Sequence, residues 1–288
     1  MAREPCNAGY VHLMRIQILV VPYDSGRRDV RMGKGPGRLL ELGIESAWKT
    51  RAHQAVTEWI EIRPAGAGDV RTSFELYTAL AERVRAARAE DRFPFVLSGN
   101  CGVTIGALAG LSDIRPGPAI VWFDAHGDFN TPETSPSGFL DGMALAVLTG
   151  RCWRPLAKQV TGFQPVPDAR VALVGVRDLD PPEARALQRS RVRRIGEGLV
   201  GLDKLFRKSL PVWLHIDLDV LDVSQGRANQ FATGGGLTVA QLLDAIQRLA
   251  KRLSIVGASF SSYDPAADAD GRIGSTALLL VDRLAEAI

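Results

Sequence analysis

Ala119-Ile120-Val121-Trp122-Phe123-Asp124-Ala125-His126-Gly127-Asp128 runs from an apolar stretch straight into two carboxylates and an imidazole, and Val212-Trp213-Leu214-His215-Ile216-Asp217-Leu218-Asp219 repeats the pattern later in the chain. Short apolar runs of this kind read as strands of a parallel sheet, buried on both faces. In open α/β folds ligands gather just beyond the carboxyl ends of such strands, so Asp124, Asp128, Asp217 and Asp219 would meet there. Four carboxylates in one place repel one another and raise each other's pKa unless a cation neutralises them. The two stretches together therefore point to bound divalent metal, two ions. The first cluster alone also fits a polar loop capping the next helix, a reading that the second pair of carboxylates argues against.

Working outward, further strands are expected at residues 16–21, 93–97, 170–176 and 254–260, with helical patterns between most of them. A Gly- and Arg-rich loop over residues 23–37 precedes a helix starting near Arg38. Thr72 and Glu75 have capping-box spacing, and Phe74, Tyr77, Ala81 and Val84 recur on one helical face. Thr238 with Gln241 opens another helix, carrying Leu242, Ala245, Ile246 and Leu249 and ending near Lys251, and a last helix is expected over residues 276–287. Strands alternating with helices imply a three-layer α/β/α domain with a mostly parallel sheet. No repeat or linker divides it, and the Pro- and Gly-rich patches at residues 64–68 and 162–167 are short enough to be loops.

With 288 residues, 46% hydrophobic and 23% charged, the chain reads as one domain over residues 1–288. Its formal charge of +3 is spread along the sequence, which argues against a nucleic-acid partner. The densest basic stretch, residues 189–194, reads as a solvated face. Cys6, Cys101 and Cys152 have no metal-finger or CxxC spacing, and no N-terminal segment has a signal-peptide layout. A cytoplasmic location follows as the expectation. No apolar run approaches the ~18 residues of a membrane span.

Carboxylates with one imidazole make a hard-to-borderline ligand set, which suits manganese better than zinc or copper. Paired metals activate water toward an electrophilic carbon, so the expected reaction is hydrolysis. In an extended run Asp217 and Asp219 share a face with His215, which reads as a supporting residue rather than a ligand.

These residues resemble the ureohydrolases, the family of arginase and agmatinase, which are binuclear manganese amidinohydrolases. The resemblance covers nearly the whole chain. It runs from Val21-Pro22-Tyr23-Asp24-Ser25-Gly26 through Ser98-Gly99-Asn100-Cys101 and the Asp124 to Asn130 block, then through Asp217-Leu218-Asp219 and Gly235-Gly236-Leu237-Thr238 to Asp264-Pro265. It implies Asp124, His126, Asp128, Asp217 and Asp219 as metal ligands, with Asp124 and Asp219 as bridges, and Asp128 as the residue that orients water and relays a proton. Arg177-Asp178-Leu179-Asp180 and Glu183 resemble the segment that grips a substrate's α-amino group, Asp180 making the contact. Asp180, Pro181 and Glu183 equally fit a helix N-terminus. Asn130, Thr131 and Ser137 resemble the loop that receives the α-carboxylate, although such loops also serve as turns. The resemblance further implies a homo-oligomer, trimer or hexamer, acting on a small guanidino or amidino compound.

Three departures matter. Cys101 stands where most relatives place a histidine ligand, and a thiolate ligand would make metal affinity more pH-dependent; a buried inert cysteine is the alternative. Asp141 replaces the histidine that assists proton transfer, and with a reference pKa near ~4 it shuttles protons at neutral pH only if burial raises it. Ser262 replaces the glutamate that holds a guanidinium and cannot form a charged bidentate pair, which favours a modified guanidine such as N-hydroxyarginine over arginine. A cysteine-containing subset of arginase-like proteins, which includes the hydroxyarginine hydrolase of D-cycloserine biosynthesis, is the nearest resemblance. A catalytically silent relative and a formiminoglutamase or agmatinase relative are the competing readings.

Overall fold

Eight strands form one wholly parallel sheet in the computed structural model, which describes residues 13–51, 53–63 and 68–288. They are β1 (Arg15–Val21), β2 (Gln54–Trp59), β3 (Arg92–Ser98), β4 (Ala119–Phe123), β5 (Val171–Val174), β6 (Arg193–Ile195), β7 (Pro211–Asp217) and β8 (Ser254–Ser261), ordered β2-β1-β3-β8-β7-β4-β5-β6. Successive strand residues point to opposite faces, and here both faces are apolar. Ile16, Ile18, Val20, Ala119, Val121 and Phe123 enter one buried cluster with Leu242, Ile246 and Leu280 of the helices Val239–Ala250 and Arg272–Ala287. Leu19, Val21, Ile120 and Trp122 enter the other with Phe74, Tyr77 and Leu80 of the helix Asp69–Ala89. The result is the expected three-layer arrangement.

Two strands of this sheet lie outside the expectation, as does a short hairpin pairing Tyr23–Asp24 with Arg27–Arg28 in the expected loop. Both β2 and β6 are sheet edges; an edge strand is only partly covered, so its sequence lacks the continuous apolar run that marks the central strands. Val56 and Trp59 of β2 are each 42% exposed, and Arg193 and Arg194 of β6 face solvent beside buried Ile195. The basic stretch is therefore solvated as expected, but its second half is strand.

Helix starts differ as well. The helix expected at Thr72 begins at Asp69 behind Gly68, so Thr72 is a buried residue of its first turn. The helix expected near Arg38 is Gly35–Glu41, with Pro36 in its first turn, and the last begins at Arg272 rather than Thr276. The Thr238–Gln241 capping box forms as read, with Gln241 N–H donating to Thr238 Oγ1 at 3.2 Å and Thr238 N–H to Gln241 Oε1 at 2.8 Å. Cys6, the N-terminal residues read for a signal peptide, and most of the 64–68 loop lie outside the described residues.

The four central neighbours β3, β8, β7 and β4 end side by side, and the chemistry-bearing segments leave the sheet there. After β3 the chain turns at Gly99, where a Cβ would overlap the Tyr23 carbonyl. Only glycine fits, and the turn sets Cys101 against the sheet end.

Candidate metal centre

Cys101, Asp124 and Asp217 offer ligand atoms within 4.8 Å of one another, as do Asp124, His126 and Asp219. Asp124 belongs to both groups, whereas Asp219, expected as a second bridge, falls in one. Cys101 follows β3, Asp124 and His126 follow β4, and Asp217 and Asp219 close β7. Backbone N–H groups two residues on hold Asp124 and Asp217, and side chains hold the rest. His126 N–H donates to Asp124 Oδ1 at 2.7 Å, Asp219 N–H to Asp217 Oδ1 at 2.8 Å, and the Trp122 indole to Asp124 Oδ2 at 2.9 Å. The Cys101 thiol donates to Asp217 Oδ2 at 3.0 Å, and Asn229 Nδ2 donates to Asp219 Oδ2 at 3.1 Å.

Burial drives the electrostatics. It raises Asp124, Asp128 and Asp217 above the usual aspartate range, with neighbouring carboxylates adding to the shift. It also pushes the Cys101 thiol up, again reinforced by Asp217. Burial works against charge on His126 and Asp219 too, but contact with Asp124 and Asp219 raises the imidazole, and His126 in turn holds Asp219 down to about 2. His126 Nδ1 lies 3.4 Å from both Asp124 Oδ1 and Asp219 Oδ2. A centre that must otherwise hold protons on three buried acids is suited to divalent cations. Asp128 supplies the independent observation: it is only 6% exposed, and its Oδ2 has no hydrogen-bond partner. A buried acceptor of that kind calls for a ligand.

Asp128 and Ser262 also share a backbone feature, positive φ of 49° and 64°. The left-handed region costs a residue with a Cβ roughly 1–2 kcal/mol, and such strain persists where the surroundings enforce it.

Cys101, His126, Asp128, Asn130, Ser137, Asp141, Asp180, Glu183, Asp217, Asp219 and Ser262 all line one cavity of about 240 Å³, with Asp124 buried behind it. Met32, Ser135, Phe139, Gly142, Asp178, Asn229 and Phe231 complete the wall; Asp178 lies in the segment that resembles the α-amino-gripping motif, and the others carried no motif that marked them. No lysine or arginine lines it among the described residues.

Several side chains expected to meet substrate already have structural partners. Asp180 caps the helix Pro181–Arg189, with Glu183 completing the box, and Asp180 Oδ2 accepts from Asn130 Nδ2 at 2.9 Å. Glu183 accepts from Phe129 N–H at 2.7 Å and Asp180 N–H at 3.3 Å, and burial lifts it to about 7. Thr131 closes a turn on Thr134. Asp141 accepts from Gly102 N–H and Asn100 Nδ2, both at 2.9 Å, so it braces the turn carrying Cys101; burial, opposed by those bonds, raises it to about 7. His215 is fully buried and stacks on Trp122, ring centroids 3.8 Å apart, while burial lowers it to about 3.

A family model described as the arginase family matches residues 14–288. The arginase of Bacillus caldovelox is 30% identical over 293 residues, covering 93% of this chain and 97% of that protein. Its solved structure matches with a TM-score of 0.83 at 28% identity, over 94% of this chain and 98% of that one. The N(omega)-hydroxy-L-arginine amidinohydrolase of Streptomyces lavendulae is 29% identical over 209 residues, covering 72% of this chain and 73% of that protein.

Proposed function

The chain belongs to the arginase family and is a hydrolase acting on guanidino compounds, and on that premise we propose that it cleaves N-hydroxyarginine or a similar modified arginine, using two manganese ions and releasing hydroxyurea or its counterpart. The observation that carries the substrate reading is Ser262. It is 3% exposed and lines the cavity beside Cys101, and by the sequence resemblance it is a neutral residue at the position from which relatives present a carboxylate. A fully charged planar guanidinium would be underpaired there, and a less basic guanidine would not.

Cys101, Asp124, His126, Asp128, Asp217 and Asp219 would hold the ions, their mostly carboxylate character favouring manganese. Such ions supply Lewis-acid activation of water and neutralise the acids around them. Asp128 would hold an ion through one carboxylate oxygen and, through the other, accept a proton from the attacking water and orient it. Asp141, lifted to about 7, has the affinity to return a proton to the leaving amine near neutral pH. Asp180 would accept from the substrate's ammonium group, and Asn130 and Ser137 would meet its carboxylate. A cavity wall with acids and no lysine or arginine among the described residues suits a cationic substrate and disfavours phosphorylated ones.

Elemental analysis of the purified protein, followed by a screen of guanidino compounds for urea, hydroxyurea, ammonia and formamide release, tests this. The expected result is manganese-dependent turnover with N-hydroxyarginine ahead of arginine. Metal binding without turnover of any guanidine would instead support the catalytically silent alternative.

A further inference from the structure

Behind Cys101 lies a buried polar chain that the proposed reaction does not use. The Trp213 indole N–H donates to Ser259 Oγ at 3.0 Å, and Ser259 Oγ lies 2.8 Å from His215 Nδ1. His215 Nε2 lies 3.4 Å from Ser261 Oγ, which lies 3.1 Å from Cys101 Sγ. None of the five side chains is more than 2% exposed, so water does not complete their bonding.

The chain has a direction. An indole N–H can only donate, so Ser259 oxygen accepts from Trp213, and the acceptor within reach of its own proton among the described residues is His215 Nδ1. Thr104 Oγ1 lies 3.2 Å from the same nitrogen, whose single lone pair is taken by the shorter Ser259 contact. A neutral imidazole accepting at Nδ1 carries its proton at Nε2, and that proton faces Ser261 Oγ. The Ser261 hydroxyl proton is then left for the sulfur. We infer that Ser261, oriented by His215, is a positioning residue that delivers a hydrogen bond to Cys101 Sγ and so sets the sulfur as a metal ligand.

This rests on the metal-centre reading and adds to it a reason for a histidine inside β7. Hydrogen bonds to ligand atoms orient them and tune the metal, and removing such a partner typically lowers metal affinity about 10–100-fold. The Trp122 indole plays the same part for Asp124, and its ring lies against His215. One buried cluster thus backs a ligand from each side of the site.

Cobalt(II) is the probe, because a thiolate bound to it gives a near-ultraviolet charge-transfer band. The metal-free full chain is titrated with cobalt as wild type, Cys101→Ser, Ser261→Ala and Ser261→Thr, with thermal unfolding as the control for folding. Wild type is expected to show the band and Cys101→Ser to lack it. Ser261→Ala should shift the band and weaken cobalt binding at least tenfold, while Ser261→Thr, which keeps the hydroxyl, restores both. An unchanged band and affinity in Ser261→Ala would overturn the inference. Cobalt uptake by wild type without the band would overturn it while leaving a metal centre in place, and no uptake would remove the metal reading and the inference together. Nitrogen-15 spectra of histidine-labelled wild type give a second arm that needs no Ser261 variant. With His215 assigned by elimination against variants of the other three histidines, a proton at Nε2 supports the stated direction and a proton at Nδ1 refutes it.

Discussion

Cys101 Sγ and Ser262 Oγ lie 3.4 Å apart at the end of neighbouring strands β3 and β8. They are two of the three positions that the sequence resemblance marks as departures, and the third, Asp141, braces the same turn through Gly102 and Asn100. The three positions are therefore connected in space. A glutamate at 262 would press a carboxylate against the sulfur and against Asp217; serine instead places a hydroxyl beside both.

Metal loading should fail when a shared or anchored carboxylate is neutralised. Asp124→Asn removes the residue common to both ligand groups, and Asp219→Asn removes the partner of His126. Both variants should bind manganese at least a hundredfold more weakly by calorimetry, and Asp124→Asn should bind no second ion. Wild-type stoichiometry in either would move the site elsewhere.

The central strands were legible because a strand covered on both faces must be apolar throughout, as residues 119–123 are. The edge strands β2 and β6 were not, since half-covered strands carry Gln54, Glu58, Arg193 and Arg194. The candidate ligands were readable because they close or directly follow those central strands. What sequence could not show is conformation and long-range bonding: the positive φ of Asp128 and Ser262, and the tie from Asn229 to both Asp219 and the Ser262 carbonyl. Asp180 and Glu183 were ambiguous between helix cap and binding residue, and the structure places them as both cap and cavity wall.

Arg177 should prove to be the fastener of the loop after β7. Its guanidinium donates to the carbonyls of Gly175, Asp219, Val220, Leu221, Thr233 and Gly234. Arg177→Ala leaves these acceptors without a common donor and should cost roughly 2–4 kcal/mol in denaturant unfolding. Arg177→Lys should recover little, because an ammonium cannot span a planar fork of donors. A loss under ~0.5 kcal/mol would mean that water replaces the guanidinium freely.

Asp222 should give the protein part of its acid sensitivity. The Ser224 hydroxyl and the backbone N–H groups of Ser224, Gly236 and Gly235 hold its carboxyl well below the usual aspartate range. Because the folded pKa lies below the unfolded one, its stabilisation is complete above the ordinary aspartate range and is lost as pH falls through the folded value. The melting-temperature gap between wild type and Asp222→Asn should therefore be constant near neutral pH and shrink toward strong acid. A gap that widens on acidification would have the wrong sign for this carboxylate.

Substrate choice should be controlled jointly by the touching pair. Ser262→Glu alone supplies a carboxylate for a guanidinium but sets it against Cys101, whose sulfur is buried among acids. Residues in contact are not additive, so the cycle Cys101→His, Ser262→Glu and the double variant is the informative set. A charge-assisted contact in a desolvated site contributes roughly 2–3 kcal/mol, about a hundredfold in efficiency. The double variant should raise arginine kcat/KM relative to N-hydroxyarginine by about that factor, and Ser262→Glu alone by much less, because it weakens metal binding at the same time. If wild type already hydrolyses arginine as efficiently as N-hydroxyarginine, the neutral hydroxyl at 262 is not the discriminating group.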